Sequence, residues 1–203
     1  MTSKQSIHWG LEATITVKRN GNPIGVMSGH NSATIEGIRE ILSYVILGDQ
    51  DFDPGQFYIG LIDNIGFTTV SRDDKLPALT EAAGWEEFTS YNLIGRPATE
   101  RIRVTAVFTG GAYGSLRVSL RSSPFNPNVI RITSPTAVLA GFFITNGSTK
   151  GAGGKLYGAG GLNANSLEIE VQIGDELHCE FRYTLISDLT DDVTVTGQGG
   201  LDL

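Results

Sequence analysis

The sequence predicts a mainly β fold, an antiparallel β-sandwich of jelly-roll type with one amphipathic helix at about residues 34–47. Three observations predict it. After Arg101 the apolar residues alternate or run in short blocks, with turn chemistry between them. The chain has 26 glycines in 203 residues, 8% aromatics and 18% charged residues, a composition of many turns rather than of a helical bundle. Only TIEGIREILSYVILG, residues 34–48, repeats apolar side chains at helical spacing, through Ile35, Ile38, Leu42, Val45 and Ile46.

Residues 1–10 are polar and read as a loose arm. In 11–19, Leu11, Ala13, Ile15 and Val17 share one face of a strand, and Asn20-Gly21-Asn22-Pro23 turns it into a returning strand at 24–27. Asn31, Ser32 or Thr34 can cap the helix, and Gly48 stands where a C-terminus favours positive φ. Burying the five apolar helix residues is worth about 1.5–3 kcal/mol each, so the helix is expected against a sheet or at a subunit contact. Residues 57–62 (FYIGLI) read as a strand buried on both faces. Residues 63–83 form a long charged loop of the kind that is functional, partner-ordered or mobile.

Residues 101–108 alternate and pair, across a Gly110–Gly114 turn, with 115–120. Prolines 124, 127 and 135 restrict 129–133 to a short strand. The most apolar run, AVLAGFFIT at 137–145, is the expected central strand. Residues 147–161 read as a flexible glycine-rich connection, and 167–173 and 177–185 as a hairpin about Gly174-Asp175-Glu176. The organisation is therefore an arm (1–10), one β-rich domain (11–186, with 11–97 able to form a helix-containing lobe) and a tail (187–203).

A net charge of −7 disfavours nonspecific binding to nucleic-acid phosphates. The lone Cys179 reads as a buried, reduced thiol. The first ten residues hold no apolar run and no segment reaches the roughly 20 apolar residues of a membrane helix, so neither a signal peptide nor a membrane association is expected. His8, His30 and His178 have no metal-ligand spacing. In Lys150-Gly151-Ala152-Gly153-Gly154-Lys155, Thr149 replaces the first glycine of a phosphate loop and Leu156 its hydroxyl residue, so the segment reads as a plain loop. Asp73-Asp74, Glu86-Glu87 and Asp191-Asp192 read as solvated charge, and Asp49-Gln50-Asp51-Phe52-Asp53 as at most a weak Ca²⁺ turn. Asn146-Gly147-Ser148 is a chance glycosylation match. No catalytic residue, cofactor or metal is called for, and no enzyme.

Three ordered stretches resemble a family of virion structural proteins of tailed bacteriophages. The first is the helix with Tyr58-Ile59-Gly60-Leu61-Ile62-Asp63 and Gly66-Phe67. The second is Gly84-Trp85-Glu86-Glu87-Phe88, then Tyr91 and Arg96-Pro97. The third is Ala140-Gly141-Phe142-Phe143-Ile144-Thr145 with Asn146 to Gly151, then Gly174-Asp175 and closing strands. The resemblance implies structural roles for Tyr58, Gly60, Gly84, Trp85, Tyr91 and Arg96, and a non-catalytic capsid decoration (cement) protein that bridges capsid subunits. It is expected in the virion after synthesis in the host bacterial cytoplasm, as a homotrimer or homodimer bound to the major capsid protein or another virion protein. Trp9, Phe67 in the long loop, Tyr113 and Tyr157 on glycine-rich tips are the candidate partner contacts. A tail, head–tail connector or fibre-base component is the alternative, followed by a carbohydrate-binding jelly-roll module.

Overall fold

The computed structural model describes residues 7–48, 57–76, 85–108, 115–121, 129–162 and 169–187. Among them are β1 (Ile7–Arg19), β2 (Asn22–Ala33), α1 (Ile35–Leu42) continued by a π-helical turn (Ser43–Leu47), and β3 (Phe57–Asp63). There follow β4 (Glu87–Phe88), β5 (Tyr91–Leu93), β6 (Ile102–Phe108), β7 (Ser115–Arg121) and β8 (Val129–Ile132). The last are β9 (Thr136–Thr145), β10 (Leu156–Leu162), β11 (Glu170–Gln172) and β12 (Glu176–Ser187). All pairings among the described residues are antiparallel, and the mainly β, sandwich-like class read from the sequence is the class observed.

The sheet curls toward a barrel. Its order is β1-β2-β10-β9-β3-β6-β7-β12, and β12 returns to β1 along the register from Ile7 opposite Ser187 to Lys18 opposite Glu176. One side of the wall splits into two panels. β3 pairs with β6 through Phe57–Ile59 and with β4 through Leu61 and Ile62. β12 likewise pairs with β8 at its start and with β7 further on, and β5 lies beyond β8.

The interior is filled by alternate residues: Ala13, Ile15 and Val17 of β1, Met27 of β2, Ile102 and Val104 of β6, and Leu177, Cys179 and Phe181 of β12. β3, β9 and β10 are buried on both faces, which is why their sequences run apolar instead of alternating. Leu61, Phe142, Ile144 and Tyr157 face the interior, whereas Ile62, Ala140, Phe143, Leu156 and Ala159 join Trp85 and Leu76 in a second cluster outside the wall. Gly60 leaves room for the Phe143 ring, which a Cβ there would overlap.

Several expectations are corrected. The strand β1 begins at Ile7, inside the segment read as an arm, and β2 extends well beyond 24–27. Residues 156–162 are a buried strand rather than a flexible connection, because β10 fits between β2 and β9. β11 and β12 are not a hairpin: β11 pairs with β9, while the buried Asp175 turns the chain a corner. There its carboxylate accepts from Gln172 N and from Arg19 Nε and Nη2 at 2.8–2.9 Å.

Of the candidate caps, Thr34 holds the helix: its Oγ1 accepts from Gly37 N at 3.1 Å and donates to the Leu156 carbonyl, and its N–H donates to Tyr157 O at 3.1 Å. Gly48 ends the π-helical turn at φ 68°, as read. Of the apolar face expected against a sheet or at a subunit contact, Ile35, Leu42 and Ile46 are exposed, and a different helix side meets the sheet. It is Gly37, lying on the Tyr157 backbone, with Ile41 and Tyr44 packed on the interior cluster. A Cβ at Gly37 would sit 2.5 Å from Tyr157 Cα and O. Gly37→Ala should therefore lift the helix off β10 and cost about 1–3 kcal/mol, measured by urea melts, despite alanine's better helix propensity.

Candidate functional site

Two places on the molecule concentrate chemistry that the fold's generic packing does not use up. The first is a polar junction where β4, the entry to β6 and the turn after β9 meet. Arg101 is 1% exposed, and its Nε and Nη2 donate to Glu87 Oε1 and Oε2, each at 2.8 Å. Its Nη1 donates to Gly147 O at 2.8 Å and its Nη2 also to Ala152 O at 2.7 Å, while the guanidinium lies 5.3 Å from the Phe143 ring centroid. Glu87 Oε2 also accepts from Gly151 N at 2.7 Å, and Arg101 N donates to Ser148 O at 2.7 Å. A planar fork with fixed donors suits this work better than an ammonium.

Lys150 extends the junction. Its Nζ donates to Thr89 O at 2.9 Å and to Tyr91 O, and stands 4.0 Å from the Tyr91 ring centroid. Burial pulls its amine below the ordinary lysine range, and the nearby Glu87 opposes that shift. Tyr91 is 1% exposed, and burial first, then the Glu87 charge, pushes its phenol up. Its Oη has no hydrogen-bond partner among the described residues. Here, too, a reading changes: Glu87 is structural rather than solvated, and the 150–155 glycine loop is held by Glu87 and Lys150 rather than loose. Asp74 changes in the same way, being buried and accepting from Trp85 Nε1 at 3.0 Å and Ser71 N at 2.9 Å.

The second place is the outward side of α1. Glu36 and Glu40 occupy one flank, where Lys155 Nζ lies 3.8 and 3.1 Å from them and Glu36 Oε2 accepts from Leu156 N at 2.8 Å. With Leu76, Asn146 and Gly154, Glu36 and Lys155 line a shallow hollow of about 350 Å³. The remaining side presents Ile35, Arg39, Leu42 and Ile46 in one stripe with Leu47 beside it. The apolar members are 50% (Ile35), 44% (Leu42), 71% (Ile46) and 78% (Leu47) exposed. This helix is thus apolar on two sides, and only one of them is covered.

Of the residues expected at a partner contact, Tyr157 is 2% exposed inside the barrel, because it belongs to β10 and not to a glycine-rich tip. Phe67 is half-buried on the Trp85–Phe143 cluster, so the described part of the long loop folds back on the sheet. Trp9 lies on β1 opposite Leu185. Tyr113, Gly84 and the 49–53 acidic turn lie outside the described residues, as do Asp191 and Asp192. Trp85 and Tyr91 are core residues, Tyr58 and Gly60 sit on β3, and Arg96 is an exposed side chain 3.8 Å from Glu100. Sequence reasoning missed Arg101, Lys150 and Arg19. For Arg101 and Arg19 the available signal was a charged residue at the lip of an alternating strand, and Lys150, in the turn after β9, offered none. Cys179 is buried as read, and burial raises its thiol pKa. Among the described residues no three His, Cys, Asp or Glu side chains are placed to hold a metal ion, and no helix is long and apolar enough to cross a membrane.

Two outcomes follow from the buried charges. Arg101→Met strands Glu87 without its partner and should cost about 3–5 kcal/mol in urea unfolding, with the Arg101→Met/Glu87→Met double variant recovering a large part. The Arg19 guanidinium, foremost, holds the Asp175 carboxyl below the usual range, so the stabilisation is full above that range and is lost as pH falls below it toward the lowered folded-state value. Asp175→Asn should lower the melting temperature at pH 7 by a few degrees, and the gap to wild type should close as pH drops below about 4.

No family model matches the chain, and neither a curated protein nor a solved structure does.

Proposed function

We propose that this chain is a non-catalytic structural protein of a tailed-bacteriophage virion, a decoration or cement protein that stabilises the head by bridging capsid subunits. One observation carries the reading: a rigid β scaffold displays an apolar helix side, Ile35, Leu42, Ile46 and Leu47, that water does not favour leaving open. The resemblance supports it at the level of residues. Its three stretches meet in the fold, since Trp85 packs at 5.7 Å on Phe143, Glu87 grips Arg101, and Arg101 grips the 147–152 turn.

Bridging works by many modest contacts made at once, and on a repeating lattice their combined strength exceeds any one of them. An exposed stripe of four apolar side chains is short of the roughly 800 Å² per partner of a stable pairwise interface, and it suits a protein used in many copies. A homotrimer or homodimer is the proposed form.

Gold-labelled antibody on intact particles of a phage encoding this chain should decorate the whole head. Label restricted to the vertex or tail would replace the cement reading with the connector, tail or fibre-base alternative. Absence of label, with the epitope open on free protein, would remove the virion assignment.

A further inference from the structure

The outward stripe of α1 is not neutral. Arg39 lies within it, one turn from Ile35 and just short of one from Leu42, and is exposed. Beside it runs the 71–76 segment, tied to the helix start by Ile35 N donating to Arg72 O at 2.8 Å, with exposed Arg72 and Lys75. The carboxylates nearby are mostly committed: Glu36 and Glu40 to Lys155 and Leu156, Asp74 to Trp85, leaving exposed Asp73. Among the described residues Arg39, Arg72 and Lys75 enter no ion pair. A chain of net charge −7 thus gathers cations that form no ion pair among the described residues round this open apolar helix side.

From this juxtaposition we infer that the outward side of α1 docks an acidic, apolar-faced helical segment of a different protein. The inference names the partner chemistry at the surface on which the proposed function relies. Each alternative occupant meets an electrostatic objection. A second copy packed parallel about a two-fold axis would bring Arg39 against Arg39, and an antiparallel one would set Arg39 against an apolar Leu42 and leave its charge without a partner. An anionic membrane would have to accept the whole molecule's negative charge near its surface. An acidic segment meets neither difficulty: its apolar residues cover Ile35, Leu42 and Ile46 while its carboxylates reach Arg39 and Arg72. The π-helical turn fits this role, because it brings Ile46 and Leu47 to the surface at the end of the stripe.

The test uses the full chain and two synthetic amphipathic helices of about four turns, with leucine on one face and either glutamate or lysine elsewhere. Fluorescence anisotropy should show saturable binding of the glutamate peptide and little binding of the lysine peptide. Ile46→Asp should weaken the glutamate peptide roughly tenfold while leaving the melting temperature unchanged, since Ile46 is mostly exposed. Arg39→Glu should weaken it roughly threefold and improve the lysine peptide. Equal binding of both peptides, or binding indifferent to Ile46→Asp, would overturn the inference. So would self-association in sedimentation that Ile46→Asp abolishes, which assigns the stripe to a second copy. Binding to phosphatidylserine vesicles in place of the peptide would assign it to a membrane. The assay contains no virion component, so a failed head-labelling experiment and a failed peptide experiment remain separate results.

Discussion

The fold depends on the ion pair between Arg101 and Glu87. Its side chains are 0% and 8% exposed, so neither charge has water to fall back on. Such a pair holds its place only with further partners for both groups, and here the carbonyls of Gly147 and Ala152 accept from Arg101 while the amide of Gly151 donates to Glu87. The result fixes where the chain goes after β9. Residues 147–152 are folded against β4, which delivers Leu156 to the wall as the first residue of β10, and β10 in turn is the floor on which α1 rests. Placement of the helix, and of the stripe it displays, is therefore several contacts downstream of one guanidinium.

Much of the architecture was legible. β6, β7, β8, β9 and β12 lie where alternation or apolar runs put them, and the Asn20-Gly21 turn adopts the positive φ values, 51° and 81°, that its residue types favour. What could not be read was long-range. LYGAGGL has too few side chains to announce a strand, yet β10 is buried because its neighbours β2 and β9 approach closely, a property of partners 120 or so residues away in one case. The same blindness applies to Gly174-Asp175. Its residues signal a turn correctly, but which strand β11 then joins is decided by β9 and by Arg19, far off in sequence.

The candidate surface is legible in composition, and its orientation is not. The helix and its apolar residues are legible, and the expectation is that they lie against a sheet or at a subunit contact. The contact is made by Gly37 instead, because only a residue without a side chain lets the helix lie on the Tyr157 backbone. That close approach turns Ile35, Leu42 and Ile46 outward. Periodicity measures how apolar a face is, but the smallest residue can decide which face goes inward.

The closure of the wall has a mechanical consequence. Ile7 lies opposite Ser187 on adjacent antiparallel strands, so both strand ends leave from the same rim. A load applied between them would open β1 from β12 one hydrogen-bonded pair at a time, as a zip, instead of shearing many bonds together. A wall closed this way is soft when pulled by these two strand ends. Whatever holds it in place is better tolerated at the helix than at the strand ends.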